Sequence, residues 1–287
     1  MRPREVFTSR GFSTYGAIHL QSWLSQMGNR QKLRKAFFAD HPRCCFCGGG
    51  ASAVEEDHIP ARTMFRRREW PQGYVFPACI DCNRASAIDE LAMSWLVRIT
   101  IREPDAEAIG EMSRSLIQLH DRRPDWVASM KELNRTETRQ YLRERGLSLE
   151  SFKGVEIEVV KMPPELLAVP QRYGEKLGRA LYYLHTGRVL PSDGLVHVQV
   201  YPNTDFMSTN FPLDEFGILT ERPTVSRSGK SIADQFFYRF STVSNGEAAA
   251  FLVQFGESVA MSIFTFDNAA KYAAIRALKA SLPIAAA

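Results

Sequence analysis

The chain has 287 residues, 45% of them apolar and 24% charged, with 15 Pro, 18 Gly and five Cys. This composition excludes collagen-like, low-complexity and wholly disordered chains and gives room for one large or two ordinary domains. The net charge of +4 is unevenly placed: residues 1–84 hold 13 Lys and Arg against 7 Asp and Glu, whereas the remainder is slightly acidic.

Residues 12–40 read as mostly helical, with Ile18, Leu20, Trp23, Leu24 and Met27 near helical spacing and a basic stretch from Arg30 to Lys35. From His41 to about Pro77 the chain is rich in turn formers, including Gly48-Gly49-Gly50, Pro60, Pro71 and Gly73. Such a segment needs a staple, because burial alone would not order it. Helical spacing returns with Ile88, Leu91, Ala92, Trp95, Leu96 and Ile99, and Pro104 is placed to start a helix running to about His120. Two shorter helices are expected at about Pro124–Asn134 and Thr136–Arg145, ended by Gly146. Glu156–Val160 alternates as a short strand, and a helix is expected at about 171–186 after Pro163, Pro164 and Pro170. Four strands follow at 196–200, 236–240, 250–255 and 259–264, then an Ala-rich helix at about 268–282. The fold class is α+β. The expected segments are a basic helical piece at 1–40, a stapled module at 41–100, a helical region at 101–150 and a mixed, mainly antiparallel α+β domain at 151–287.

All five cysteines lie between Cys44 and Cys82, which excludes an evenly spread disulfide framework and favours a local site. Cys44/Cys47 and Cys79/Cys82 form two Cys-x-x-Cys pairs 31 residues apart, a spacing that suits four thiolates around one structural Zn²⁺. The choice of Cys44 over Cys45 rests on spacing alone, and buried free thiols are the plainer alternative. No stretch approaches the ~20 unbroken apolar residues of a membrane span, so a cytoplasmic protein without membrane contact is expected.

Between the pairs stands Glu55-Glu56-Asp57-His58-Ile59-Pro60, and Asn83 directly follows the second pair. In order, Cys44/Cys47, Asp57-His58, Cys79/Cys82 and Asn83 resemble the zinc-stapled branch of the HNH endonuclease family, over about residues 44–90. The resemblance implies a ββα-metal fold, a hairpin carrying Asp57-His58 and a helix beginning at or just after Asn83. It implies His58 as general base, Asp57 and Asn83 as ligands of a catalytic Mg²⁺ or other divalent ion, and metal-dependent hydrolysis of nucleic-acid phosphodiesters; DNA is the preferred partner, with RNA left open. Two positions depart from the family pattern. Tyr74 stands where the middle Asn is usual, and Ala87 where some members supply a further ligand, with Glu90 an outside candidate. A degenerate, non-catalytic zinc module that binds nucleic acid or protein is the alternative.

Chemistry alone makes the same residues sensible: a neutral His activates water near neutral pH, and a carboxylate with an amide oxygen holds a hard cation loosely. Arg62, Arg66, Arg67 and Arg68, with Phe65 and Trp70 beside them, are candidate phosphate contacts, or else a solvated loop with tucked aromatics. Ser226-Arg227-Ser228-Gly229-Lys230-Ser231 lacks the leading glycine of a phosphate-binding loop and follows no strand, so that reading is set aside. The region after 151 offers no motif; setting substrate choice, a homodimer contact and contact with a partner protein are its open candidate uses.

Overall fold

The computed structural model describes residues 30–100, 105–147, 158–204, 219–270 and 272–273. The helical expectation for 12–29, part of the Glu156–Val160 strand, Pro104 and most of the last helix lie outside them. The chain forms two compact units, Met1–Pro42 and Arg43–Ala287. In the first, residues 30–40 form a helix, α1, with Phe37 and Phe38 edge to face and His41 closing on Phe37.

The second unit is mixed α and β. A two-stranded antiparallel hairpin, β1 (Glu55–His58) and β2 (Val75–Ala78), pairs Asp57 with Phe76 and His58 with Val75. Then come α2 (Ile80–Ala85), α3 (Ala87–Leu96), α4 (Ala106–Arg122), α5 (Pro124–Ala128) and β3 (Lys131–Glu132). α6 (Arg135–Glu144) starts at a reciprocal cap, the Asn134 side chain accepting from the Glu137 amide while the Glu137 carboxylate accepts from the Asn134 amide. β4 (Val160–Lys161) pairs with β3, and α7 (Pro164–Leu167) leads into α8 (Val169–Thr186), ended by Gly187 in the left-handed conformation. The expected helix at 124–134 therefore stops at Ala128, because the chain turns there to pair with a strand distant in sequence.

The last strands are β5 (Leu195–Pro202), β6 (Ser226–Arg227), β7 (Lys230–Ser231), β8 (Phe237–Thr242), β9 (Ala248–Phe255) and β10 (Val259–Phe266). β5, β10, β9 and β8 form, in that order, an antiparallel sheet, close to the four expected strands. α8 lies across one face of it. The fit requires Gly174 and Gly178, where an added Cβ would stand 2.6 Å from Val198 Cγ1 and 2.7 Å from Ile263 Cγ2. The opposite face of α8 turns toward α3, and its Lys176 reaches Asp57 on the hairpin.

One continuous core joins these layers. It runs from Ile59, Phe65, Tyr74 and Phe76 through Trp95 and Tyr173 to Phe236, Tyr238, Phe251 and Ile263. Among the described residues, members of this core lie on both sides of positions 100 and 150. Phe236 shows why: its ring contacts Phe65 and Tyr74 on the hairpin side and Phe255 on the sheet side, each in a tilted or edge-to-face pair.

Candidate active site and metal centre

The sulfurs of Cys44, Cys47, Cys79 and Cys82 all lie within 4.8 Å of one another. A tetrahedral Zn²⁺ with bonds of about 2.3 Å places its sulfurs about 3.8 Å apart, so the cluster is close enough to bind a metal ion and compatible with structural zinc. Backbone amides point at two of the sulfurs: Phe46 N donates to Cys44 Sγ and Cys82 N to Cys79 Sγ, both at 3.4 Å. The turn after Cys47 needs glycine at position 48, with φ of 68° and a phantom Cβ 2.3 Å from Ser192 N. Cys45 is wholly buried, its thiol pushed up by burial, and stands outside the four, which settles the choice between Cys44 and Cys45.

The helix after the second pair begins earlier than expected. Cys79 is the N-cap of α2 and the chain is already helical at Ile80, so Asn83 lies within the helix and its amide bonds Cys79 O. A sulfur acceptor replaces the usual Ser, Thr, Asp or Asn cap, so the sequence carries no ordinary signal for a helix start at Ile80. Asn83 Nδ2 donates to Glu55 Oε2 at 2.6 Å.

Strand alternation sends Asp57 and His58 to opposite faces of the hairpin. On the α8 side, Asp57 is 5% exposed and its Oδ2 lies 2.5 Å from Lys176 Nζ. The same ammonium stands 2.8 Å from Glu90 Oε1 and also donates to Ser86 Oγ, while Ser86 Oγ donates to Glu90. Burial, assisted by Glu90, pushes the Asp57 carboxyl above its ordinary value despite Lys176. Burial pulls the Lys176 ammonium down, but Asp57 and Glu90 outweigh it and hold the group charged, above its ordinary value. One turn earlier on α8, Arg172 grips Asp89 with two hydrogen bonds at 2.6 and 2.9 Å.

On the other face, Arg62 Nη2 lies 2.5 Å from His58 Nε2. A guanidinium only donates, so Nε2 is the unprotonated nitrogen and the ring carries its proton on Nδ1. The Trp70 indole meets the imidazole edge to face at 5.6 Å. Both Arg62 and Arg227 set their guanidinium carbons over the Trp70 ring, at 4.0 and 3.9 Å from its centroid. Burial, then Arg62 and Arg227, lower the His58 pKa to about 4, so the ring is neutral at pH 7.

The other expected phosphate contacts are spread out. Arg66 is paired with Asp234, and its amide donates to Gln235 Oε1. Arg67 makes two hydrogen bonds to Glu107, at 2.8 and 2.9 Å, and Arg68 is exposed. Phe65 is buried, as the tucked reading had it. Tyr74 is buried too, and its hydroxyl donates to Tyr238 OH at 2.9 Å, with His185 Nε2 2.8 Å beyond. The tyrosine is thus turned into the core.

Lys176 and Arg227 escaped the sequence reading. Lys176 had a signal: Arg172, Lys176 and Arg179 recur at i, i+4 and i+7 on one helix face, opposite the acidic Asp89-Glu90. Arg227 had only the discarded Ser226–Ser231 motif. That segment is a tight hairpin, with Ser228 and Gly229 at φ of 49° and 78° between β6 and β7.

No protein-family model matches the chain, and no curated protein or solved structure matches it. Among the described residues, no helix is long and apolar enough to cross a membrane.

Proposed function

We propose that the hairpin and the helix after it, stapled by zinc on Cys44, Cys47, Cys79 and Cys82, form the centre of a nucleic-acid phosphodiesterase of HNH type, with His58 as general base. One observation carries the reading: an imidazole whose unprotonated Nε2 is held by the Arg62 guanidinium stands beside a second guanidinium, that of Arg227, over a shared indole. Hydrolysis needs a group to accept a proton from water as its oxygen attacks phosphorus, and fixed positive charge where the phosphate gains negative charge. His58 Nε2 takes the proton, Arg62 and Arg227 face the anion, and the leaving oxygen takes a proton from solvent as its bond to phosphorus breaks. Arg62 must release Nε2 for this, and a phosphate oxygen is a better acceptor for a guanidinium than a neutral imidazole.

The catalytic divalent ion expected on Asp57 and Asn83 does not fit this arrangement. The Asp57 carboxylate is paired with the Lys176 ammonium, a cation already standing where the ion would sit, while Asn83 spends its Nδ2 on Glu55 and offers only Oδ1 as a ligand.

The test is cleavage of mixed DNA and RNA, single- and double-stranded, by zinc-loaded protein with Mg²⁺, with Mn²⁺ and without either. Wild-type protein cuts DNA, and His58→Ala abolishes cutting while zinc content is unchanged; cutting that survives the substitution overturns the assignment of the base. A non-catalytic binding module is favoured by two observations, the ammonium seated at Asp57 and the Tyr74 hydroxyl spent on Tyr238. Nucleic-acid binding without cleavage under all three metal conditions selects that reading.

A further inference from the structure

The β6–β7 hairpin is about 170 residues from His58 in sequence, yet it is fixed against the loop that follows His58. Gln72 N donates to Ser226 O at 2.9 Å, Arg66 N to Gln235 Oε1 at 2.8 Å, and Arg66 pairs with Asp234. Val225 and Ile232, buried on either side of the hairpin, are joined by a hydrogen bond of 3.1 Å from Ile232 N to Val225 O. The tight turn at Ser228-Gly229 leaves little freedom for Arg227 to be elsewhere. Its guanidinium rests on Trp70, which also carries Arg62, so three elements converge: β1 with His58, the loop with Arg62 and Trp70, and the hairpin with Arg227.

Two guanidinium groups held near each other repel, and no carboxylate pairs with Arg227 in the described hydrogen bonds and ion pairs. A free arginine on an exposed strand would extend into solvent, whereas these two share one indole next to a half-buried imidazole. An anion between them would remove the repulsion and accept charge-assisted hydrogen bonds from both. Trp70 is itself engaged by the cations, so the cluster offers charge and hydrogen-bond donors rather than a bare stacking platform for a base. That chemistry reads the nucleic-acid backbone without reading its sequence.

We propose that Arg227 and Arg62 form a clamp for one backbone phosphate of the nucleic-acid substrate beside His58, so that the C-terminal half of the chain completes the site. The proposal rests on the phosphodiesterase reading for its substrate class, but it concerns binding and is tested by binding.

Short fluorescent DNA and RNA oligonucleotides of several sequences are titrated against the full chain, zinc-loaded, over a range of salt concentrations, with wild type, Arg227→Gln and Arg227→Lys. A phosphate contact contributes about one unit to the slope of log affinity against log salt. Arg227→Gln lowers that slope by about one and weakens binding alike across sequences, while Arg227→Lys, which keeps the charge, retains the slope. Zinc content and the cooperative melting transition of each variant identify a folding failure, and Arg227→Lys then carries the test through its weaker but salt-sensitive binding. An unchanged slope in folded Arg227→Gln overturns the clamp, as does wild-type protein that binds neither nucleic acid. The nuclease reading fails separately: wild type that never cuts, yet loses the slope with Arg227→Gln, keeps the clamp and loses the catalysis.

Discussion

Lys176→Met replaces the ammonium between Asp57 and Glu90 with an apolar chain of similar length. The contacts at 2.5 and 2.8 Å are each worth about 6 kcal/mol of Coulomb attraction at an effective dielectric constant near 20. Most of this is offset by the cost of taking three charges out of water, since Lys176 and Asp57 retain only 10% and 6% side-chain exposure. What remains on breaking a buried pair is about 3–5 kcal/mol, because the carboxylates are left without a cation. For a unit of this size that corresponds to a melting temperature lower by roughly 6–20 °C. Asp57 already titrates above its ordinary 3.8 through burial, and loss of Lys176 pushes it further up. An acid whose folded pKa is raised binds more protons folded than unfolded, so the penalty is full above that pKa and is relieved as pH falls through it. Thermal unfolding across pH 4–8, wild type beside Lys176→Met, should therefore show the gap narrowing toward acid, with Asp57→Asn in the variant background recovering part of it at neutral pH. A variant that melts with wild type at pH 7 would refute the buried network.

The remaining predictions concern the thiolates and the histidines. Cys82→Ser should drop zinc content from one per chain to near zero and unfold the region around residues 44–82, since metal binding there is folding free energy, whereas Cys45→Ala should keep one zinc; metal analysis with circular dichroism reads both. His185, stacked on Phe240 with Nε2 2.8 Å from Tyr238 OH, has its pKa lowered by burial from 6.5 to about 4, and His58 is lowered likewise. The folded state then binds fewer protons than the unfolded one between these values, so stability is fully present above pH 6.5 and falls as the pH drops toward 4. His185→Gln should flatten the melting temperature's dependence on pH in that window, and an unaltered profile would show that His185 is solvated.

Features governed by local spacing were legible. The four thiolates follow from two Cys-x-x-Cys pairs, and the strands at 195–202, 237–242, 248–255 and 259–266 from apolar patterning with glycines at the turns. Boundaries set by tertiary contact were not. α5 stops at Ala128 because Lys131–Glu132 pairs with Val160–Lys161, and nothing near residue 128 announces a strand 30 residues away. The candidate site divides the same way. Asp57, His58 and Asn83 stand out beside the cysteines, yet their surroundings come from far along the chain: Lys176 is 86 residues from Glu90, and Arg227 arrives on a hairpin that reads as a failed phosphate loop. Tyr74 could be noticed as an unusual residue, but only packing shows that its hydroxyl is spent on Tyr238.

One consequence of period-two alternation organises the whole site. The family resemblance assigns an ion to Asp57 and a water molecule to His58, both within one centre, whereas alternation along β1 turns the two side chains to opposite faces. With α8 packed on the hairpin's Asp57 face, that face is closed by an ammonium and becomes part of the protein's own charge balance. The His58 face stays at the surface, where Arg62, Trp70 and Arg227 surround the imidazole. Both faces depend on residues beyond 168, so the cysteine-free region is a structural part of the candidate site. A cation delivered by α8 also stands at Asp57 where the expected divalent ion would sit. Catalysis at His58 would then draw its positive charge from arginines, and its response to ionic strength, which screens them, would exceed its response to chelators that spare the zinc.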